Sequence, residues 1–245
     1  MNKIIFLGTG PFGGVPGKGK SKRKESSVLI RSDVNFLIDV TNDFKSQSKL
    51  VRFLDAVLVT HGHRDAIGGM AKLDDWLGRR KERVNCYAHP RTIRIVQKKF
   101  PKIVNINFQP IKAGRRLRLS KKVEIVPFPV LHSIQKGFPA FGFRIFFGKE
   151  NLISYASDTR EIGRRLERNV RGSEILILDG ALWGQTLPAH LDVKKIINKV
   201  CEWEVGRIYF TQIGNAVPRY EIFKKWLAAN CKKAFSAYDG LKINV

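Results

Sequence analysis

The segment Thr60-His61-Gly62-His63-Arg64-Asp65-Ala66-Ile67-Gly68-Gly69 follows an apolar run at residues 56–60 and decides how this chain is read. That run has the composition of a short strand. Two histidines two residues apart in a loop after a strand can turn both imidazoles to one point. Asp65 adds a hard oxygen donor to the same point. Imidazole suits zinc, iron and manganese, and a carboxylate widens the choice toward manganese and magnesium. The glycines that follow permit a tight turn into a helix. The bland alternative is a polar surface loop.

Three further residues count against that alternative. His132, in Val130-Leu131-His132-Ser133, stands at the end of the apolar run 123–128. Asp158, in Tyr155-Ala156-Ser157-Asp158-Thr159, is also at a strand end. His190, in Pro188-Ala189-His190-Leu191-Asp192, opens a helix. A single such histidine is more often structural. Several at strand ends on one edge of a sheet form the pattern expected of a metal site. His89, before Pro90, sits at a strand-to-helix junction and reads as a cap or packing residue. The tryptophans read as core, with Trp183 the one placed to line a pocket.

Short apolar runs bounded by Gly, Pro, Asp or Asn predict strands at 4–7, 28–30, 36–38, 56–60, 84–88, 104–108 and 123–128. Others follow at 141–147, 152–154, 175–178 and 208–211. Helices are predicted at 69–77, 91–100, 159–170, 193–202 and 220–229, with Asp158 and Asp192 as N-caps of the third and fourth. A block of strands followed by alternation with helices fits two packed sheets with helices outside. No boundary divides the chain, so a single domain over residues 1–245 is expected.

The chain has 245 residues, with 45 Lys and Arg against 21 Asp and Glu, a net charge of +24. Hydrophobic residues make up 43%, including 16 Phe, which excludes disorder as the main description. No apolar run approaches the roughly 20 residues of a membrane span. The amino-terminal residues lack the pattern of a secretory leader. The cysteines, Cys86, Cys201 and Cys231, are far apart and odd in number, so neither a disulfide framework nor a cysteine zinc site is expected. A reducing, cytoplasmic setting follows from that reading. The positive charge favours an anionic partner. A solvated lysine-rich surface is the alternative, but such surfaces usually carry matching acids. Residues 18–24 (KGKSKRK) hold five cations and read as a mobile loop, either solvated or a phosphate-attracting arm.

HGHRDAIGG, PVLHS and YASDT together resemble the metallo-β-lactamase-fold hydrolase superfamily over nearly the whole chain. LGTGPFGGVP, RKESSVLI, PAHLDV and IYFTQ resemble its PhnP-like cyclic-phosphate phosphodiesterase subgroup, which is itself similar to the tRNA 3′-processing endonucleases. The resemblance implies an α/β, four-layer αββα sandwich with metal at the edge between two mixed sheets. It implies that His61, His63, His132 and Asp158 form a first metal site, with Asp158 bridging. It places Asp65 in a second site and His190 near the leaving group as general acid. Two second-site ligands differ: Ala66 and Gln212 stand where the family carries histidines. The subgroup's structural-zinc cysteines are also absent, and the basic loop stands in their place.

The expectation is a metal-dependent hydrolase holding Zn or Mn at one tight site, with a second that is weak or absent. Its substrate would be an anionic phosphate-containing molecule, a cyclic phosphate or nucleotide-type ester. Asp65, freed from a second ion, would orient the attacking water. Two alternatives stay open: an RNA- or DNA-directed nuclease on the same fold, and a non-catalytic nucleic-acid or metabolite binder. No membrane partner is expected, and a homodimer is left open.

Overall fold

Ile4-Ile5-Phe6-Leu7 is a continuous apolar run because both faces of its strand are covered. Ile4 and Phe6 face a core between two sheets, whereas Ile5 and Leu7 face a helical layer. The same alternation sends Ile175 and Ile177 to the inter-sheet core and Leu176 and Leu178 to the opposite helical layer. A computed structural model describes residues 2–133, 135, 137–148, 151–185 and 187–245.

The first half of the chain supplies β1 (Lys3–Gly8), β2 (Ser27–Arg31), β3 (Asn35–Ile38), α1 (Phe44–Gln47), β4 (Ala56–Leu58), α2 (Arg64–Ile67) and α3 (Met70–Arg80). It continues with β5 (Val84–Ala88), α4 (Pro90–Lys99) and β6 (Ile106–Pro110). The second half supplies β7 (Leu117–Arg118), β8 (Val123–Pro129), β9 (Phe141–Phe147), β10 (Asn151–Ala156), α5 (Arg164–Val170) and β11 (Ile175–Asp179). Then come α6 (Val193–Glu202), β12 (Arg207–Thr211), α7 (Tyr220–Asn230), β13 (Ala234–Ser236) and β14 (Lys242–Asn244). One sheet runs β14-β1-β2-β3-β4-β5-β6 and the other β13-β12-β11-β10-β9-β8-β7. Each contains parallel and antiparallel pairs. The result is the expected αββα sandwich. Strands β4, β8, β10, β11 and β12 end along one edge. There the sheets are joined backbone to backbone: the Phe141 N–H donates to the Thr60 carbonyl at 2.9 Å.

Several local expectations need correction. Asp158 does not cap a helix. Its carboxylate is taken by Ser157 and Gln212, and the helix starts at Arg164 after Gly163. The strand expected at 104–108 is displaced to β6, because the Val104 and Asn105 amides donate to Asp74 instead of a neighbouring strand. The strand expected at 56–60 stops at Leu58, because the Thr60 amide turns to Asp39. Strands β7, β13 and β14 are two to three residues long, too short to announce themselves. Asp192 does cap α6, accepting from the Lys194 amide, and His89 caps α4, accepting from the Arg91 amide. Trp183 packs on Phe223 and Trp226 and does not line the cavity beside His63, His132 and His190.

Cys201 and Cys231 form a disulfide, against the sequence expectation. They are 30 residues apart, but the intervening chain is a strand and a helix that return to the starting layer. Cys201 ends up in the last turn of α6 and Cys231 just past α7, with Cα atoms 5.7 Å apart. The inference of a reducing compartment rested on unpaired thiols and loses that support. Replacing both cysteines by serine is expected to leave the fold intact and lower the unfolding free energy by about 2–4 kcal/mol. Urea denaturation checks this; an unchanged midpoint would contradict it.

Candidate metal centre

The strand-end residues singled out in the sequence meet at the shared sheet edge. The donor atoms of His61, His63 and His132 lie within 4.8 Å of one another, as do those of His61, Asp65 and Asp158, and of His132, Asp158 and His190. His63 Nδ1 and His132 Nε2 are 3.0 Å apart. His61 Nε2 lies 3.6 Å from Asp65 Oδ1, and His132 Nε2 lies 4.0 Å from Asp158 Oδ1.

Hydrogen bonds behind the cluster orient these rings. His132 Nδ1 is 3.1 Å from the Ala189 carbonyl, which can only accept, so Nδ1 carries the proton and Nε2 presents its lone pair inward. Thr60 works similarly for His61. Its amide donates to Asp39 Oδ1 at 2.8 Å, and its hydroxyl lies 2.9–3.0 Å from the two Asp39 oxygens. That hydroxyl donates to Asp39, which leaves the Thr60 oxygen to accept from His61 Nδ1 at 2.8 Å. His61 Nε2 is then a lone pair aimed into the cluster. It is fully buried and has no hydrogen-bond partner among the described residues. A buried nitrogen left in that state costs about 1–3 kcal/mol, which a divalent ion would relieve. The convergent nitrogen donors with a nearby carboxylate are a zinc-type set, and the residues present fit such an ion.

Charge is distributed unevenly. Burial pushes the His61 imidazole down to about 3, against the pull of Asp158. His63 is also lowered, first by burial and then by His132. Burial alone would raise Asp158, but His61, His132 and His190 outweigh it and hold the carboxyl well below the usual range. Burial and Asp158 raise Asp65 to about 7. His190 behaves oppositely to the other rings. Burial disfavours its charge, yet the Asp179 carboxylate and its hydrogen bond raise it to about 9. His190 Nδ1 sits 2.7 Å from Asp179 Oδ2, and Asp179 also accepts from the Thr159 and Ala181 amides.

The two altered positions behave differently. Ala66 is buried in α2 and offers no donor. Gln212 is buried and held at a left-handed φ of 56°, a region that costs a non-glycine residue about 1 kcal/mol or more. Its Nε2 donates to Asp158 Oδ1 at 2.7 Å, while its Oε1 is buried without a hydrogen-bond partner among the described residues. The amide therefore engages the carboxylate assigned to the bridging role by resemblance.

A cavity of about 300 Å³ opens over the cluster, lined by Phe12, Arg64 and Ala189 beside the metal-type donors. Phe138 stacks on His63 at 4.4 Å between ring centroids. The sequence carried no signal for Phe12 or Phe138. Asp39 did have one, since Phe36-Leu37-Ile38-Asp39 repeats the apolar-strand-then-aspartate pattern of residues 175–179.

A four-layer sandwich with a His/Asp cluster at the common edge of its sheets defines a metallo-β-lactamase-fold hydrolase. The chain belongs to that superfamily: the β-lactamase superfamily domain matches residues 34–213. A diphosphatase of the PhnP family aligns over 100% of this chain and 98% of its own, at 25% identity and a TM-score of 0.87. Zn²⁺-bound PqqB from Methylobacterium extorquens aligns over 99% and 100%, at 18% identity and a TM-score of 0.81. The short form of human tRNase Z aligns over 99% of each chain, at 15% identity and a TM-score of 0.76. An octanoyltransferase from Porphyromonas gingivalis is 23% identical over 262 residues. The match covers 98% of this chain, which spans about half (51%) of that protein.

Asp179→Asn tests the electrostatics behind His190. In the metal-free protein it should bring the imidazole from about 9 down toward the ordinary value near 6.5. Burial would then act without its main opposing charge. NMR titration of the ring checks this; a value still near 9 would place the stabilising charge elsewhere.

Proposed function

We propose that this chain is a metal-dependent phosphodiesterase acting on a cyclic phosphate or nucleotide-type phosphate ester, as one domain spanning residues 1–245. The observation that carries the reading is the convergence of His61, His63 and His132 on a point where His61 Nε2 is buried and unpartnered. The PhnP-family diphosphatase, the nearest of these in fold, supports a phosphate-containing substrate. His61, His63, His132 and Asp158 would hold one tight ion, Zn or Mn. Asp65 lies beside it and remains a donor to any second, weaker ion. A bound ion would polarise a phosphoryl oxygen and acidify a water.

The remaining chemistry belongs to side chains. Asp65 accepts a proton from the attacking water as its oxygen bonds to phosphorus. His190, charged and steadied through Nδ1 by Asp179, gives a proton to the leaving oxygen as the P–O bond breaks. Both groups then exchange protons with solvent. Asp158 Oδ1, the oxygen that lies 4.0 Å from His132 Nε2, already accepts from the Gln212 amide, and Oδ2 accepts from Ser157, so the carboxylate has little left for a second cation. One ion per chain is the consequence. The nuclease alternative is weakened by the basic loop, because Arg23 is buried and Lys20 lies over two tyrosine rings.

Elemental analysis of the purified protein should find one equivalent of Zn or Mn, and His61→Ala or His132→Ala should remove it. Absence of metal together with no turnover of bis-p-nitrophenyl phosphate in added Zn²⁺ or Mn²⁺ would leave only a non-catalytic binder. His190→Ala should keep the metal and lower turnover about 10²–10⁴-fold; unaffected turnover would remove the general-acid role. Combining Ala66→His with Gln212→His should raise the metal count toward two. An unchanged count would mean that the pocket has diverged beyond these positions.

A further inference from the structure

The densest run of positive charge, residues 18–24, is an anchored wall. Arg23 is buried and donates to Thr9 Oγ1 at 2.7 Å and to the Ala237 carbonyl at 2.6 Å. Lys20 Nζ lies 4.9 Å from the centroid of the Tyr220 ring and 4.3 Å from that of Tyr238. Ser21 Oγ accepts from the Tyr220 amide at 3.0 Å, and Arg23 pairs with Val15 through its backbone. These ties hold the loop against the segment that follows Gln212 and leads into α7.

A cavity of about 590 Å³ lies between that loop and residues 213–220. Its size falls in the range of small-molecule sites, about 300–1,000 Å³. Three cations line it, Lys18, Arg23 and Arg219, and no carboxylate is among its described lining residues. Asp239, near Arg23, is turned to Thr9 Oγ1 and the Lys24 amide. The other walls are largely apolar, including Val15, Pro16, Val217 and Pro218. Helix α7 begins at this wall, and its amino-terminal partial charge adds to the same sign. The metal-proximal cavity shares none of these lining residues. One loop serves both: Phe12 faces the His/Asp cluster, and Val15 faces the second cavity.

We propose that this second cavity binds a small organic phosphate, with its anion held by Lys18 and Arg219 and its apolar body against the valine and proline walls. Lys18 and Arg219 are exposed at the cavity's rim, and the apolar walls beside them offer a second kind of contact that a purely solvated cation patch lacks. The proposal does not depend on metal at the first site or on the reaction proposed there.

Titration calorimetry with AMP, adenosine and inorganic phosphate tests it on the full chain. The His61→Ala/His132→Ala variant excludes capture by a metal ion. AMP should bind this variant and the wild type alike, with adenosine and inorganic phosphate each at least about tenfold weaker. Lys18→Ala with Arg219→Ala should weaken AMP at least about tenfold while leaving metal content and circular dichroism unchanged. Val217→Trp, which fills the cavity without touching charge, should block AMP as well. The proposal is overturned if AMP shows no saturable binding below about 1 mM. It is equally overturned if binding vanishes in the histidine variant, or if it survives both the double alanine variant and Val217→Trp.

Discussion

Thr60 is the point on which the site's geometry depends. Its carbonyl accepts the Phe141 amide and so ties one sheet to the other. Its amide and hydroxyl are bound to the buried Asp39. The same hydroxyl oxygen fixes the His61 ring. One residue thus sets both the separation of the sheets at their edge and the direction of a buried lone pair. His63 and Asp65 follow within five residues of it, and His132 and Asp158 arrive from the other sheet. A cluster built from two sheets requires such a tie, because a shift of about 1 Å between them would misplace donors on opposite sides.

Gln212 shows how the centre can depart from its family pattern and stay closed. Buried aspartate and histidine side chains in contact need their charges and donors matched. The amide supplies a donor to Asp158, and Ser157 supplies another from the opposite side. The left-handed backbone at Gln212 is retained despite its cost, which points to a position set by the strand end and not by local preference. Asp39 is held at a similar φ of 65° at the end of β3, on the same edge. Two of the three described non-glycine residues with left-handed φ thus lie at the site, the third being Lys81 at the end of α3.

Much of the fold was readable because its strands are buried on both faces. Runs such as Ile4–Leu7 and Ile175–Leu178 are apolar enough to be recognised without neighbours. The misread elements are those decided by long-range partners. Asp158 looks like a helix cap until Gln212, 54 residues away, is seen to hold it. Cys201 and Cys231 look unrelated until a strand-helix return brings them together. Residues 18–24 look mobile because charge runs usually are. Their order comes from Thr9, Ala237 and Tyr220, which no local pattern reveals. The cluster itself was readable because each member sits at the end of an apolar run, whereas the aromatic residues around it carry no such mark.

The large positive charge reads differently once placed on the structure. Part of it is structural, as in the buried Arg23, part lines the second cavity through Lys18 and Arg219, and an excess of this sign suits the anionic substrate proposed for the His/Asp centre. On the reading proposed above, this centre holds one divalent ion. Anomalous diffraction at the metal absorption edge, from crystals grown with zinc or manganese, tests it most directly. A single strong peak among His61, His63, His132 and Asp158, with Gln212 still donating to Asp158, is the predicted result. No peak at that point, or two equal peaks with Gln212 drawn away from Asp158, would contradict it.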